Sequence, residues 1–400
     1  MELMTPETTV AERSKHKVTL NVLFSLIGIG YLFPFSALTQ PVDYWKFLFP
    51  DVNIEFYITC VFLYTNLITL GLVVAFGSTD TATYASRIVG GFGGQFLVLM
   101  IVPTAYFVVS SHNAYMAVVL VATAFAAVAT AFLDSCVIAL AATYPVHAQE
   151  ALQFGVGLSA LIGSVFRVFT KLVFPIDAVV ESSAMYFYIG AITVVVCVGA
   201  FHMLMRLKRH VEFEPTSSYH APPIDVALSP KNRWNVLRQC YRQELLVTLS
   251  FFTTLCLWPP LVTEMTSFNF PDLQRSGWWP LILLTVFSVM DCIGRVLVPY
   301  RFGLTKDTIW KPVVLRMLLI PCIVMTVQRV WFTHDAWSVL FVVLLGLSNG
   351  YFGSLTILVV NESVDERDRG VAGTFTGFFL IAGLVLGSTM GLIYMHVTHP

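Results

Sequence analysis

Charge is what this sequence has least of. Asp, Glu, Lys and Arg make up 12% of its 400 residues, against about 25% in an average soluble domain. With 56% apolar residues and a mean hydropathy of +0.76, a water-soluble globule is excluded and a polytopic membrane protein is implied. The charges present nearly cancel, to a formal net −1, so nothing marks a nucleic-acid or strongly acidic partner. Cysteine pairing is also missing. The seven cysteines are scattered, all but Cys240 lie in apolar runs, and no two are spaced as a disulfide framework or a metal-binding CxxC. There is no GxxxxGK[ST], no HExxH and no serine or cysteine nucleophile in a recognisable setting. An ATP-driven pump and an intramembrane hydrolase therefore have no support, and neither enzyme activity, cofactor nor metal is expected. The first 17 residues are polar and carry no cleavable signal pattern.

What the sequence does have is long apolar runs. A helix needs about 20 apolar residues to cross a hydrocarbon core of about 30 Å. That length predicts eleven spans, near 18–38, 56–76, 86–109, 114–143, 152–173 and 184–205, then 245–266, 278–300, 312–332, 337–360 and 370–396. Residues 1–17 are expected to form a cytoplasmic N-terminal segment, 18–205 a six-helix bundle and 245–400 a five-helix bundle. Between the bundles, 206–244 carries Pro215, Pro222, Pro223, Pro230 and many charges, and reads as a cytoplasmic loop or short surface helix. Lys and Arg set the orientation. Of the 23, 16 fall in segments on the side of the N-terminus and 4 (Lys46, Lys171, Arg275, Arg329) on the other, while Arg167, Arg295 and Arg316 lie within spans. The N-terminus is then inside and, after eleven spans, the C-terminus outside. A six-plus-five split around a basic loop suggests two pseudo-symmetric bundles with a site between them, the plan of many secondary transporters.

Several polar groups lie inside these runs. Asp291 and Arg295 are four residues apart in the eighth span, on one face of a helix and close enough to pair. A lone charge at mid-bilayer costs roughly 3 kcal/mol or more, so such residues face a bundle interior or a wet cavity. They form either a polar ligand site or a lock between helices. Asp134 in the fourth span needs a polar partner or must stay neutral. Arg167 and Arg316 can snorkel or neutralise an acid. In the first span, Gly28-Ile29-Gly30-Tyr31-Leu32-Phe33-Pro34-Phe35-Ser36 combines small residues for close approach with a proline that frees a carbonyl. The glycine sets Gly90, Gly91, Gly93, Gly94 and Gly383, Gly387, Gly391 read as helix-contact faces.

Taken together these motifs resemble the equilibrative nucleoside transporter family. Gly28 to Phe35 is similar to the first-span G-x-G-x-L-x-P-W motif, and Trp258-Pro259-Pro260-Leu261-Val262-Thr263-Glu264 to the seventh-span F-P-x-x-x-x-E pattern. Asp291-Cys292-Ile293-Gly294-Arg295 matches the eighth-span D-x-x-G-R motif. His334 to Trp337, Ser348-Asn349-Gly350-Tyr351 and Ala372 to Gly387 match the last two spans. The resemblance implies an eleven-span major-facilitator-like fold that moves nucleosides or nucleobases by alternating access. Carried over by position, Asp291 and Arg295 engage the sugar or polar edge of the ligand, and Leu32 and Phe35 line the first-span side. Phe35 stands where the family often has tryptophan, Ser36 where it often has asparagine, and Asp134 where many members have a base-binding glutamine. A carboxylate accepts only, whereas an amide also donates, so the resemblance does not fix base preference.

A nucleoside joins an aromatic face to a polar sugar, so its site wants stacking groups and a few fixed hydrogen-bonding groups. Tyr31 and Phe35 suit the first; Asp134, Asp291, Arg295, Ser36 and Asn349 the second. Asp134 is also the candidate for proton coupling, because burial disfavours its charge and a nearby guanidinium favours it. Arg87, with Asp365, Glu366 and Arg367 in the loop before the last span, forms a candidate inner gate, the alternative being a solvated loop. The expected partners are a nucleoside or nucleobase, protons and the lipid bilayer, with no nucleic acid, and the expected location is the plasma membrane. A carrier of this architecture for another solute, such as a sugar, and a non-transporting receptor remain open at this point.

Overall fold

The structure, a computed structural model, describes residues 6–52, 54–76, 81–175, 177–212 and 230–398. Eleven helical spans are long and apolar enough to cross a bilayer: Lys15–Leu48, Ile54–Phe76, Tyr84–Val108, His112–Ala142, Val146–Val173, Val179–Leu207, Arg233–Glu264, Trp278–Val296, Trp310–Val327, Asp335–Asn361 and Glu366–Tyr394. They are called spans 1 to 11. Span 4, at 31 residues, extends about 46 Å at 1.5 Å per residue. It exceeds a bilayer core and must tilt or project.

Several expected limits shift, span 1 for one reaching Leu48 where 38 was expected. Much of 206–244 is helical: the helix of span 6 runs on to Glu212, and that of span 7 starts at Pro230. Proline is tolerated in a first helical turn, and Val236, Cys240, Glu244 and Val247 give the extension one buried face. Span 9 stops at Val327 and is broken by a 3₁₀ turn at Arg316–Leu318. Span 10 carries a π-helical turn at Asn349–Gly353, a local widening frequent at functional sites.

Spans 1 to 6 pack together as one bundle. In the other, spans 7 and 11 pair along their length and span 8 packs on span 10. The bundles meet where spans 4 and 2 touch span 11 and span 5 touches span 8. Small residues set these approaches. Gly383, Gly387 and Gly391 lie against the backbone of span 7 at Thr248, Phe252 and Cys256, and Gly91 and Gly94 against Ala129 and Leu133 of span 4. Gly90 and Gly93 face open space, so only half of that set is a contact face.

One of the tight crossings joins spans 1 and 5. A side chain on Gly28 would strike the Leu152 carbonyl, and one on Gly155 the Ser25 carbonyl, while Ser25 Oγ donates to the Ala151 carbonyl at 3.0 Å. Forced overpacking costs about 1–3 kcal/mol. Gly155→Val is therefore expected to lower the melting temperature of the detergent-solubilised protein by several degrees. Gly199→Val, at a glycine with nothing within 4 Å, is the control and should leave it unchanged. Equal melting temperatures in the two variants would contradict the packing account.

Candidate functional site

The centre of the molecule is built on span 8. Arg295 Nε donates to Asp291 Oδ2 at 2.8 Å, with both side chains about 5% exposed or less. The pair does not end within its own helix. Arg295 Nη1 donates to the carbonyl (3.1 Å) and side-chain oxygen (3.0 Å) of Gln153 in span 5, and to Ser354 Oγ of span 10 (3.3 Å). Gly157 of span 5 leaves the room that the Arg295 side chain occupies. The guanidinium thus crosses from one bundle to the other. On the remaining side, Asn349 Nδ2 donates to Asp291 Oδ1 at 2.6 Å. The close approach of spans 8 and 10 that allows this bond rests on Gly294 and Gly350, each against the other helix's backbone.

A second polar cluster lies in the first bundle. The buried Asp134 carboxylate accepts from Tyr31 Oη on one oxygen and from Asn66 Nδ2 (2.7 Å) on the other. Tyr31 lies on span 1, which packs on span 5, the helix whose Gln153 accepts from Arg295. Gln95 Nε2 donates to Thr130 Oγ1 at 3.1 Å, one turn before Asp134. The buried amide oxygens of Asn66 and Gln95 take no hydrogen bond among the described residues. Phe35 is buried with its ring on that of Phe62, centroids 4.7 Å apart. Ser36 is buried, and Leu32 is half-buried against the apolar core.

The structure therefore brings Tyr31 to Asp134, Asp291 to Arg295, and Asn349 to Asp291. It also adds Asn66 and Gln153, which sequence reasoning passed over; their signal was an amide within an apolar run. Asn349, expected to face a ligand, directs its amide to other side chains: Oδ1 accepts from Thr254 Oγ1 at 2.6 Å and from Arg316 Nη2 at 3.3 Å. Arg167 neutralises an acid, Asp43, at 2.6 Å. Among the described residues no group of His, Cys, Asp or Glu is placed to hold a metal ion.

The two faces of the molecule are bridged differently. At the face where span 1 begins, Asn361 Nδ2 of span 10 donates to Gln149 Oε1 of span 5 at 2.7 Å. The candidate gate residues Asp365, Glu366 and Arg367 are exposed there, and Arg87 is half-buried. The ion pairs described at this face, Arg369 with Glu366 at 3.4 Å and Arg301 with Glu362 at 2.5 Å, stay within the second bundle. At the opposite face Lys171 of span 5 sits 5.0 Å from the Trp278 ring centroid, and midway along span 2 Tyr64 hydrogen-bonds Thr389 of span 11 at 2.6 Å.

Residues 115–396 match the family model described as nucleoside transporter. The chain belongs to the nucleoside transporter family. Curated relatives agree. "Equilibrative nucleotide transporter 8" of Arabidopsis thaliana is 25% identical, over 96% of this chain and 97% of that protein. The human "Equilibrative nucleoside transporter 4" is 22% identical over 91% and 80%, and the human "Equilibrative nucleoside transporter 2" is 30% identical over 40% and 37%. Solved structures share the fold of this nucleoside transporter family member at low identity. A proton:xylose symporter of the major facilitator superfamily gives a TM-score of 0.62 at 11% identity, covering 97% of this chain and 96% of that one. A bacterial homologue of the iron transporter ferroportin gives 0.60 at 16%, covering 94% and 92%. The eleven spans and the family together make this an integral membrane protein with a major-facilitator-like fold.

Proposed function

We propose that this protein carries purine or pyrimidine nucleosides, nucleobases or both across a membrane by alternating access between its two bundles, and that it is a carrier and not an enzyme. The observation that supports this most is the Asp291–Arg295 pair, which sits between the bundles of a nucleoside transporter family chain and reaches Gln153 of the opposite one. In this reading Asp291 and Arg295 hold the polar sugar edge. Tyr31, Leu32, Phe35 and Ser36 line the first-span side, and Asp134 offers acceptor groups to the base. Rocking of the bundles breaks contacts such as Asn361–Gln149 at one face and Lys171–Trp278 at the other in turn. The excess of Lys and Arg on the side of the N-terminus supports a cytoplasmic location for that side, the plasma membrane being the proposed location. Arg87 and the Asp365–Arg367 segment act at the inner gate.

The test is uptake of radiolabelled adenosine, uridine, hypoxanthine and xylose into proteoliposomes, with and without a pH gradient. Saturable uptake of a nucleoside or nucleobase, uncompeted by xylose, is expected. Uptake of xylose alone, or binding without flux, would overturn the proposal.

A further inference from the structure

Behind the span 8 pair lies a second guanidinium that the proposed transport reading does not use. Arg316, in the 3₁₀ turn of span 9, is 4% exposed. Its Nη1 donates to the carbonyl (2.7 Å) and Oγ (3.2 Å) of Ser250, its Nε to Ser348 Oγ (2.8 Å), and its Nη2 to Thr254 Oγ1 (2.6 Å), Asn349 Oδ1 (3.3 Å) and the Leu345 carbonyl (3.4 Å). Every partner is neutral. Burying a guanidinium without an anion is costly, and a purely structural tie between spans 7, 9 and 10 needs only neutral groups. The hydrogen bonds from Arg316 lead on to one acid, Asp291, and one side chain stands between them.

That side chain is Asn349. An amide has a donor end and an acceptor end that differ little in shape, so its orientation is set by its neighbours. Here the guanidinium and the Thr254 hydroxyl hold Oδ1, which leaves Nδ2 to donate to Asp291 Oδ1 at 2.6 Å. The reverse orientation would set an NH₂ against a guanidinium and a carbonyl against a carboxylate. The geometry points to Arg316 as a positioning residue for the ligand-binding site: acting through Asn349, it fixes the Asp291 carboxylate from the side opposite Arg295. Asp291 is then held by two donors, Arg295 Nε on one oxygen and Asn349 Nδ2 on the other, and keeps its outer lone pairs for a hydroxyl-bearing substrate. Asn349 becomes a relay and not a ligand contact. The π-helical turn that it opens gives the local helix geometry that brings its amide into line with both charges.

The inference rests on the nucleoside reading only for its substrate, and the experiment separates the two. KM and Vmax for nucleoside uptake, per folded carrier, are measured for the parent, Arg316→Gln, Asn349→Ala and the double variant. A hydrogen bond to a charged group contributes enough to change an affinity about tenfold or more. KM is expected to rise by about that factor in each single variant and no further in the double one, because both changes remove the same constraint. Unchanged KM with less folded protein, as a purely structural tie predicts, would overturn the inference, and so would KM rises that multiply in the double variant. Where Arg316→Gln yields no folded carrier, Arg316→Lys carries the same test. Its single ammonium cannot hold Ser348, Ser250 and Asn349 together, so KM should still rise, and an unchanged KM counts against the inference. An experimental structure of the folded Arg316 variant reads the result without any substrate: the Asn349–Asp291 bond should be lost or the amide turned. If the parent moves no nucleoside, the transport proposal fails and this structural arm alone decides the positioning role.

Discussion

Asp291→Asn and Arg295→Ala are each expected to remove most nucleoside uptake while the protein is still made and inserted. The pair is buried, and breaking a buried pair by removing one partner costs about 3–5 kcal/mol, because the survivor keeps its charge and loses its counterion. Here the survivors differ. Without Asp291, Arg295 keeps Gln153 and Ser354 as acceptors but two guanidiniums face no carboxylate. Without Arg295, Asp291 retains only the Asn349 donor among its described side-chain partners. The exchange Asp291→Arg with Arg295→Asp discriminates between mutual neutralisation and a site. It restores opposite charges on one helix face, so a pair that serves only to neutralise its own charges would recover. It also presents a carboxylate to the Gln153 oxygens and a guanidinium to the Asn349 amide, so substrate geometry is lost and transport should stay absent. Labelled-nucleoside uptake normalised to membrane protein checks all three. Near-normal uptake in either single variant would remove the pair from the substrate site.

The second large effect concerns energy coupling at Asp134. Its two oxygens are held by neutral donors, Tyr31 and Asn66, and no ion pair reaches it among the described residues. Gly377 of span 11 lies against its backbone carbonyl, at the seam between the bundles. Separation of spans 4 and 11 would admit water to the Asp134 side chain, a residue 1% exposed in this conformation, and its proton affinity would then differ between the two states. A proton can drive accumulation only if substrate binds the protonated carrier more tightly. The expected result is that collapsing an inward proton gradient slows accumulation several-fold in the parent. Asp134→Asn, which keeps the shape of the group but has no proton to release, should lose this sensitivity while still exchanging substrate. A parent indifferent to the gradient would leave Asp134 as a binding or helix-joining residue.

These residues also mark how far the sequence alone carries. The eleven spans follow from the length and apolar character of each run, and the Asp291–Arg295 pair from a spacing of four on one helix. Gln153, 142 positions from Arg295, was not legible, because no local pattern records which bundle a guanidinium reaches into. Asp134 was recognisable as a buried acid in need of a partner. That its partners are Tyr31 and Asn66 depends on how spans 1, 2 and 4 rotate about their axes. Arg316 admits snorkelling or an ion pair on sequence grounds, and instead lies among hydroxyls and carbonyls because the 3₁₀ turn in span 9 faces spans 7 and 10. Residues 206–244 read as a loop or short surface helix, and the continuation of 230–244 into span 7 was hidden by its charges, although its buried positions repeat at helical spacing through Val236, Cys240, Glu244 and Val247.

The central claim, that a nucleoside is carried between the two bundles, is tested most directly by counterflow. Proteoliposomes are loaded with unlabelled adenosine or uridine and diluted into a trace of the labelled compound, with no other driving force. A carrier that alternates access predicts a transient accumulation of label above its external concentration, absent from empty liposomes and from the Asp291→Asn protein. Simple equilibration without overshoot for every nucleoside and nucleobase tried, or an overshoot that survives Asp291→Asn undiminished, would contradict the account.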